Sequence, residues 1–281
     1  MTDHYAVIGN PVAHSLSPHI HVEFARQTGQ DMDYVRLLAP LDAFRATVLQ
    51  FRDAGGRGVN VTLPFKRAAW ELADRHTDTA RDAEAANVLD FRDGSIVGHN
   101  TDGVGVVTDL ERNLGFAIAG KRVLIMGAGG ATYGVMSPIL DAGPTLLIVA
   151  NRTVNKAFSV VENFRNHRNT SGGKVSALPY PELAGTQFDL ILNATSAGLT
   201  DEMPPLPPGI FAPGAAAYDM VYGKRTPFMT FAARQGATLV ADGLGMLVEQ
   251  AAESFRIWRG VRPETASVIS ALRLEIGKQR Q

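Results

Sequence analysis

Arg122 and the four apolar residues after it run straight into Gly127-Ala128-Gly129-Gly130-Ala131-Thr132, and no other feature constrains the fold of this chain as tightly. A short apolar run bounded by glycine reads as a buried strand, and the segment after it, to about residue 142, reads as a helix. Glycine permits a tight turn between the two. It also lets a ligand approach the backbone closely. The free N–H groups and positive dipole end of the helix then suit a pyrophosphate. Strand, turn and helix together predict a Rossmann-type dinucleotide site at Gly127, Ala128, Gly129, Gly130 and Ala131. A plain βα turn is the alternative, because Thr132 stands where the usual pattern has Gly or Ala.

The next strand, residues 146–150, decides which dinucleotide. An NAD site places a carboxylate at its end for the ribose 2′-hydroxyl. Here the strand ends in Asn151-Arg152-Thr153, with Lys156 one turn on. A planar guanidinium, a hydroxyl and a second cation suit the 2′-phosphate of NADP(H). An exposed basic helix start is the other reading of the same residues.

A helix over 154–164 and strands at 175–178, 190–193, 215–219 and 238–240 continue the alternation, which predicts a parallel sheet covered by helices. Residues 163–174 and 200–214 read as surface loops, and 245–279 as helix broken near 260–263. The first third alternates too. Strands are expected at 5–8, 33–38 and 58–61, and a hairpin at 88–91 and 96–99. Helices are expected to begin at Ser17-Pro18, with Ser17 as N-cap, and to span about 41–54, 64–75 and 103–114. The fold class is therefore α/β with two lobes and a cleft between them. Residues 1–101 plus 242–281 form a substrate-binding lobe, and 102–241 the NADP lobe.

Bulk properties narrow the function. With 27 basic and 28 acidic residues, the chain has no general attraction for nucleic acid or a membrane surface. It has no cysteine, which excludes disulfides, thiolate catalysis and cysteine-bound zinc. No metal-ligand motif accompanies His14, His19 and His21, which read as structural or exposed. No signal peptide and no membrane-spanning apolar run is visible, so the expectation is a cytoplasmic protein, monomer or homodimer, acting on a small molecule.

Dinucleotide binding does not name a reaction. Lys66 and Arg67 fall in the first turn of the helix expected after Pro64, where the helix dipole disfavours a cation. A lysine held there is a candidate for proton transfer, or a solvated surface lysine. Asp102 is either a helix N-cap or a carboxylate paired with Lys66. Ser15 and Ser17 offer two hydroxyls at a helix start, suited to a substrate carboxylate. Gln250 lies on an apolar helical face with Leu247, Ala251 and Ser254, so its amide needs a partner.

In this order these segments resemble the shikimate dehydrogenase family over nearly the whole chain. The stretches are residues 9–18, 58–66, Asn100-Thr101-Asp102-Gly103, 127–131, Asn151-Arg152-Thr153, 218–222 and 242–246. The resemblance implies reversible reduction of 3-dehydroshikimate to shikimate by NADPH in aromatic amino-acid biosynthesis. It implies that Lys66 passes the proton and that Asp102 orients both Lys66 and a substrate hydroxyl. Ser15 and Ser17 would hold the carboxylate. Thr62, Asn87, Asp102 and Gln250 would bind ring hydroxyls, and Tyr222 would face the substrate. Met220 and Gly243 would join the cofactor residues named above. Departures from the family pattern are Glu84, Val88, His99 and Lys156. The alternatives are a quinate/shikimate dehydrogenase of mixed NAD and NADP use, a one-carbon folate dehydrogenase, and a non-catalytic dinucleotide sensor. The last needs neither Lys66 nor Asp102.

Overall fold

The computed structural model describes residues 2–168, 174–195 and 202–278. In chain order the elements are β1 (Asp3–Gly9), α1 (Ser17–Thr28), β2 (Met32–Leu38), α2 (Phe44–Asp53), β3 (Gly56–Val61), α3 (Lys66–Leu72), β4 (Arg75–His76), α4 (Asp78–Ala83), β5 (Val88–Asp90), β6 (Val97–His99) and α5 (Asp102–Thr108). There follow β7 (Arg122–Met126), α6 (Gly130–Asp141), β8 (Leu146–Ala150), α7 (Val154–Arg168), β9 (Val175–Leu178), β10 (Phe188–Asn193), β11 (Phe211–Asp219), α8 (Pro227–Arg234), β12 (Leu239–Asp242), α9 (Leu244–Arg259) and α10 (Ala266–Lys278). The chain divides into two compact units, residues 1–105 with 247–281 and residues 106–246. The divisions fall inside α5 and α9, a few residues after the positions expected, and they leave Asp102 in the first unit.

The first unit is built on a sheet of order β2-β1-β3-β5-β6-β4. β1 pairs in parallel with β2 and β3, whereas β5 runs antiparallel to β3 and β6. Successive side chains of a strand point to opposite faces. Accordingly Ala6 and Ile8 of β1 pack with Phe44 and Val48 of α2, Ala69 of α3 and Phe65 just before it. Tyr5 and Val7 pack on the other face with Trp258 of α9. The C-terminal segment is therefore part of this core.

Behind that face lies His21. It is fully buried on α1, with its ring stacked on Tyr34 at 4.1 Å and 6°. Phe24, Phe255 and Trp258 surround it. Neither ring nitrogen finds a hydrogen-bond partner among the described residues. Burial pushes the imidazole down to about 3, so the folded chain holds it neutral. The unfolded chain, with an ordinary value of about 6.5, binds the extra proton between those two points, and stability must fall as pH drops through that window. At pH 5 the cost reaches about 2 kcal/mol. Denaturant titrations at pH 7 and pH 5 should show that loss in the parent and a smaller loss in His21→Leu. Equal losses in the two proteins would refute the assignment.

The second unit is an all-parallel sheet of order β12-β11-β10-β7-β8-β9. The chain winds outward from β7 to β9, returns beside β7 as β10, and winds out the other way. This is the doubly wound order, with its switch point between β7 and β10. Both faces are covered, which explains strands with no polar alternation. Val123 and Ile125 meet α6 and α7, while Leu124 and Met126 meet Tyr180, Phe228 and Ala232.

Several expectations need correction. α1 begins at Ser17, but Ser17 does not cap it. Leu16 holds the cap position, and the Ser17 N–H instead donates to Ser15 Oγ at 3.3 Å. α3 starts at Lys66 rather than Pro64 and stops at Leu72, because residues 75–76 pair with β6 as β4. The helix expected over 103–114 is α5 followed by a π-helical turn over Asp109–Asn113. There the Asp109 carboxylate accepts from the buried Tyr218 hydroxyl at 2.6 Å. α7 runs on to Arg168, into the expected loop, and residues 169–173 lie outside the described residues. β11 likewise begins inside the second expected loop, of which residues 200 and 201 also lie outside them. α4 and α8 were not anticipated. α8 carries a readable signal: Thr226 caps it by accepting from the Met229 N–H at 3.2 Å, with Pro227 at the first position. Among the described residues no helix is long and apolar enough to cross a membrane.

Candidate active site

Strand directions in the first unit gather the predicted polar residues at one sheet edge. β1 and β3 are parallel with Ile8 beside Val61, so the loops bearing Ser15 and Thr62 leave the same edge. β5 is antiparallel to β3, which brings its start, at Asn87, beside the end of β3. The Val61 N–H donates to the Asn87 carbonyl at 2.8 Å. β6 then ends beside the start of β5, with Val88 opposite His99, and delivers Asn100, Thr101 and Asp102.

At that edge Lys66 Nζ donates to Asp102 Oδ2 at 2.5 Å. The lysine side chain keeps 25% of its exposure, the aspartate 8%. The other carboxylate oxygen, Oδ1, accepts from Asn87 Nδ2 at 2.9 Å. Asn87 Oδ1 accepts from the Thr101 N–H at 2.8 Å, which fixes the amide orientation. The Asp102 N–H is taken by Asn100 Oδ1 at 3.1 Å. A buried carboxylate that accepts one cation and one neutral amide is satisfied without being enclosed. The Lys66 side chain itself is not sealed off from solvent.

Gln250 belongs to the same cluster. Its Oε1 lies 3.3 Å from Asn87 Nδ2, and its Nε2 donates to the Leu247 carbonyl at 2.8 Å. The partner required of this amide is thus found within the protein. No hydrogen bond joins Ser15, Ser17 or Thr62 to the cluster among the described residues. The two serines bond each other, Oγ to Oγ, at 3.2 Å. Arg36 of β2 holds their loop by donating twice to the Ser15 carbonyl, at 3.0 and 2.6 Å. Sequence reading missed Arg36, Thr101 and Asn60. Arg36 sits at an exposed, alternating position of a strand, and nothing local distinguishes it.

In the second unit, Gly127 follows β7 with φ +105°, and a Cβ there would lie 3.1 Å from the Ala194 carbonyl group. Both facts demand glycine. Gly129 and Gly130 open α6 without a side-chain cap, and a Cβ added at either would meet open space. An uncapped helix start flanked by two exposed glycines, where no side chain blocks approach, fits an anion. Thr132 is no lapse in this turn. Its buried hydroxyl donates to the Gly127 carbonyl at 2.9 Å and ties the turn to the helix. Ala128 and Ala131 are half-buried in it.

After β8, Asn151 Nδ2 donates to the Thr153 carbonyl at 2.9 Å and shapes the turn that presents Arg152. The Arg152 side chain is 86% exposed, with the exposed Glu202 at 3.7 Å. Thr153 and Lys156 are also exposed. No carboxylate follows β8 where NAD would need one. Met220 and half-buried Tyr222 follow β11; burial pushes the Tyr222 phenol up. Gly243 follows β12, where a Cβ would strike the Met220 carbonyl oxygen at 2.3 Å. Beneath them Asp219 is fully buried and ties this end of the sheet together. It accepts from Thr226 Oγ1 at 2.6 Å, from the Val221 N–H at 3.0 Å and from Asn193 Nδ2 at 3.0 Å.

Known proteins resemble this chain over nearly its whole length. Residues 7–89 match the shikimate dehydrogenase substrate binding domain, residues 110–200 the shikimate/quinate 5-dehydrogenase domain, and residues 243–273 the shikimate 5′-dehydrogenase C-terminal domain. The shikimate dehydrogenase (NADP(+)) of Methylobacillus flagellatus is 55% identical over 271 residues, covering 96% of this chain and 99% of that protein. The crystal structure of an Ael1 enzyme from Pseudomonas putida superposes with a TM-score of 0.90 at 49% identity, covering 96% of this chain and 98% of that one. The shikimate 5-dehydrogenase of Thermus thermophilus, solved in complex with NADP(H) and shikimate, does so at 0.85 and 34% identity, covering 97% and 99%. The chain belongs to the shikimate dehydrogenase family.

Proposed function

We propose that this protein reversibly reduces 3-dehydroshikimate to shikimate with NADPH. The observation that carries the reading is the Lys66–Asp102 pair, at 2.5 Å, with the lysine side chain 25% exposed. A fully solvated lysine would not be held in this way, and a dinucleotide sensor has no use for the pair. The first unit is read as the substrate unit and the second as the cofactor unit.

In the reductive direction Lys66 Nζ gives its proton to the carbonyl oxygen of the substrate while hydride reaches the carbon. In reverse it takes the hydroxyl proton. Asp102 holds Nζ through one carboxylate oxygen, and a substrate hydroxyl comes under the same group. Asn87, Gln250 and Thr62 bind ring hydroxyls. Ser15 and Ser17 receive the carboxylate, and Tyr222 is read as a further substrate-binding residue. The bound cofactor would supply the redox chemistry, NADPH as hydride donor in reduction and NADP+ as acceptor in reverse. Gly127, Ala128, Gly129, Gly130 and Ala131 would hold its pyrophosphate, and Asn151, Arg152, Thr153 and Lys156 its 2′-phosphate. Met220 and Gly243 complete the cofactor residues. The proposal extends to a cytoplasmic enzyme, monomeric or homodimeric.

Incubation with shikimate and NADP should yield a product two hydrogens lighter by mass spectrometry, together with NADPH. Absence of that product would remove the reading. Ser15→Ala tests the carboxylate contact. One hydrogen bond to a charged group is worth about 1.5–3 kcal/mol, so the KM for shikimate should rise by about tenfold or more with kcat little changed. Unchanged kinetics would dismiss Ser15.

A further inference from the structure

Ser254 lies in the middle of α9, fully buried, one turn beyond Gln250. Its hydroxyl donates to the Gln250 carbonyl at 2.9 Å. Such back-bonding gains a helix nothing, and alanine is the better helix former. A buried serine at this place calls for partners outside its own helix, and it has them. Asn60 Nδ2, from β3, donates to Ser254 Oγ at 2.9 Å, and Thr101 Oγ1 lies 3.4 Å away. Thr101 Oγ1 in turn approaches the Gln250 carbonyl at 3.1 Å. The Gln250 backbone is thus gripped by two hydroxyls, one from its own helix and one from the segment that carries Asp102.

Asn60 is itself fixed from behind. Its Oδ1 accepts from the Tyr34 hydroxyl at 2.7 Å, and its amide also reaches the Asn87 carbonyl at 3.3 Å. The Tyr34 ring is clamped against His21. Tyr34, Asn60, Ser254 and Thr101 are all buried, so each bond is made without competition from water. The result is one connected path from the aromatic core to the side chains around Asp102, through residues far apart in sequence.

We propose that Ser254 is a positioning residue: it sets the rotation and axial placement of α9 so that Gln250 is presented beside Asn87 and Thr101. Tyr34 acts at the far end of the same path by orienting Asn60. This rests on the reading of Gln250 as a substrate ligand. Ser254 itself touches neither substrate nor cofactor.

The test compares steady-state kinetics of the full-length enzyme carrying Gln250→Ala, Ser254→Ala, both together, and Tyr34→Phe. A net hydrogen bond of about 1 kcal/mol corresponds to about a fivefold change, so Ser254→Ala should raise the KM for shikimate by about fivefold. Its kcat and its KM for NADP should stay within about twofold, a split that general loss of folded enzyme would not produce. The double variant should have the KM of Gln250→Ala alone, because a residue acting through another adds nothing once that other is gone. Tyr34→Phe should shift the same KM in the same direction by about twofold, and it carries the test if Ser254→Ala does not fold. A raised KM in Gln250→Ala with none in the Ser254 and Tyr34 variants overturns the positioning role alone. So do effects that multiply in the double variant. An unchanged KM in Gln250→Ala overturns the ligand reading and this proposal with it.

Discussion

Replacing Lys66 by alanine should lower kcat by about three orders of magnitude, within the range of about 10²- to 10⁴-fold contributed by a positioned proton-transfer group. The KM for NADP should move by less than about twofold, since Lys66 belongs to the first unit and the dinucleotide turn to the second. The effect is expected to be the largest because, among the described residues, the Lys66 ammonium bonds to Asp102 and its side chain is not fully enclosed. Removing it leaves the Asp102 carboxylate with Asn87 alone among the described residues and, on the proposed reading, takes the proton source from the carbonyl oxygen. Retained turnover with folded protein would take Lys66 out of the chemistry. A melting curve matching the parent's would show that the loss is chemical, since α3 keeps its packing through Ala69 and Leu72.

Arg152→Ala should weaken NADP by about ten- to a hundredfold and leave NAD within about twofold, because the bond lost is a charge-assisted one to phosphate, worth about 1.5–3 kcal/mol. Competitive titration of both dinucleotides measures it. The guanidinium projects almost fully into solvent from a turn shaped by Asn151, and its neighbour Glu202 is exposed as well. That surface pair stabilises the fold little, so the substitution should leave folding intact. An equal loss for NAD and NADP would sink the phosphate contact and return this turn to an ordinary basic helix start.

Much of the second unit was legible because its signals are local. Apolar strands bounded by glycine, at β7 and β8, can be read without knowing their neighbours. The charge pattern after β8 needs no tertiary information either. Thr132 shows the limit of pattern matching. It departs from the usual glycine pattern, yet its hydroxyl satisfies the Gly127 carbonyl and so serves the turn. The first unit was harder. Ser17 looked like a cap, but the long-range grip of Arg36 on Ser15 sets the loop path and leaves Ser15 as the acceptor. β4 is two residues long and exists only because β6 lies beside it. Asn60 and Ser254 are 194 positions apart and are polar residues in apolar surroundings. Nothing in either local sequence announces that they meet. Lys66 and Asp102 were found through unfavourable placement and resemblance. Their contact became visible only when β3, β5 and β6 were set edge to edge.

The most direct test of the whole account is kcat/KM for shikimate and for quinate, each with NADP and with NAD. The account predicts the shikimate–NADP pair to lead, with NAD lower by about tenfold or more for want of the phosphate contact. Quinate or NAD performing as well as shikimate with NADP would contradict it and favour a quinate/shikimate dehydrogenase of mixed cofactor use.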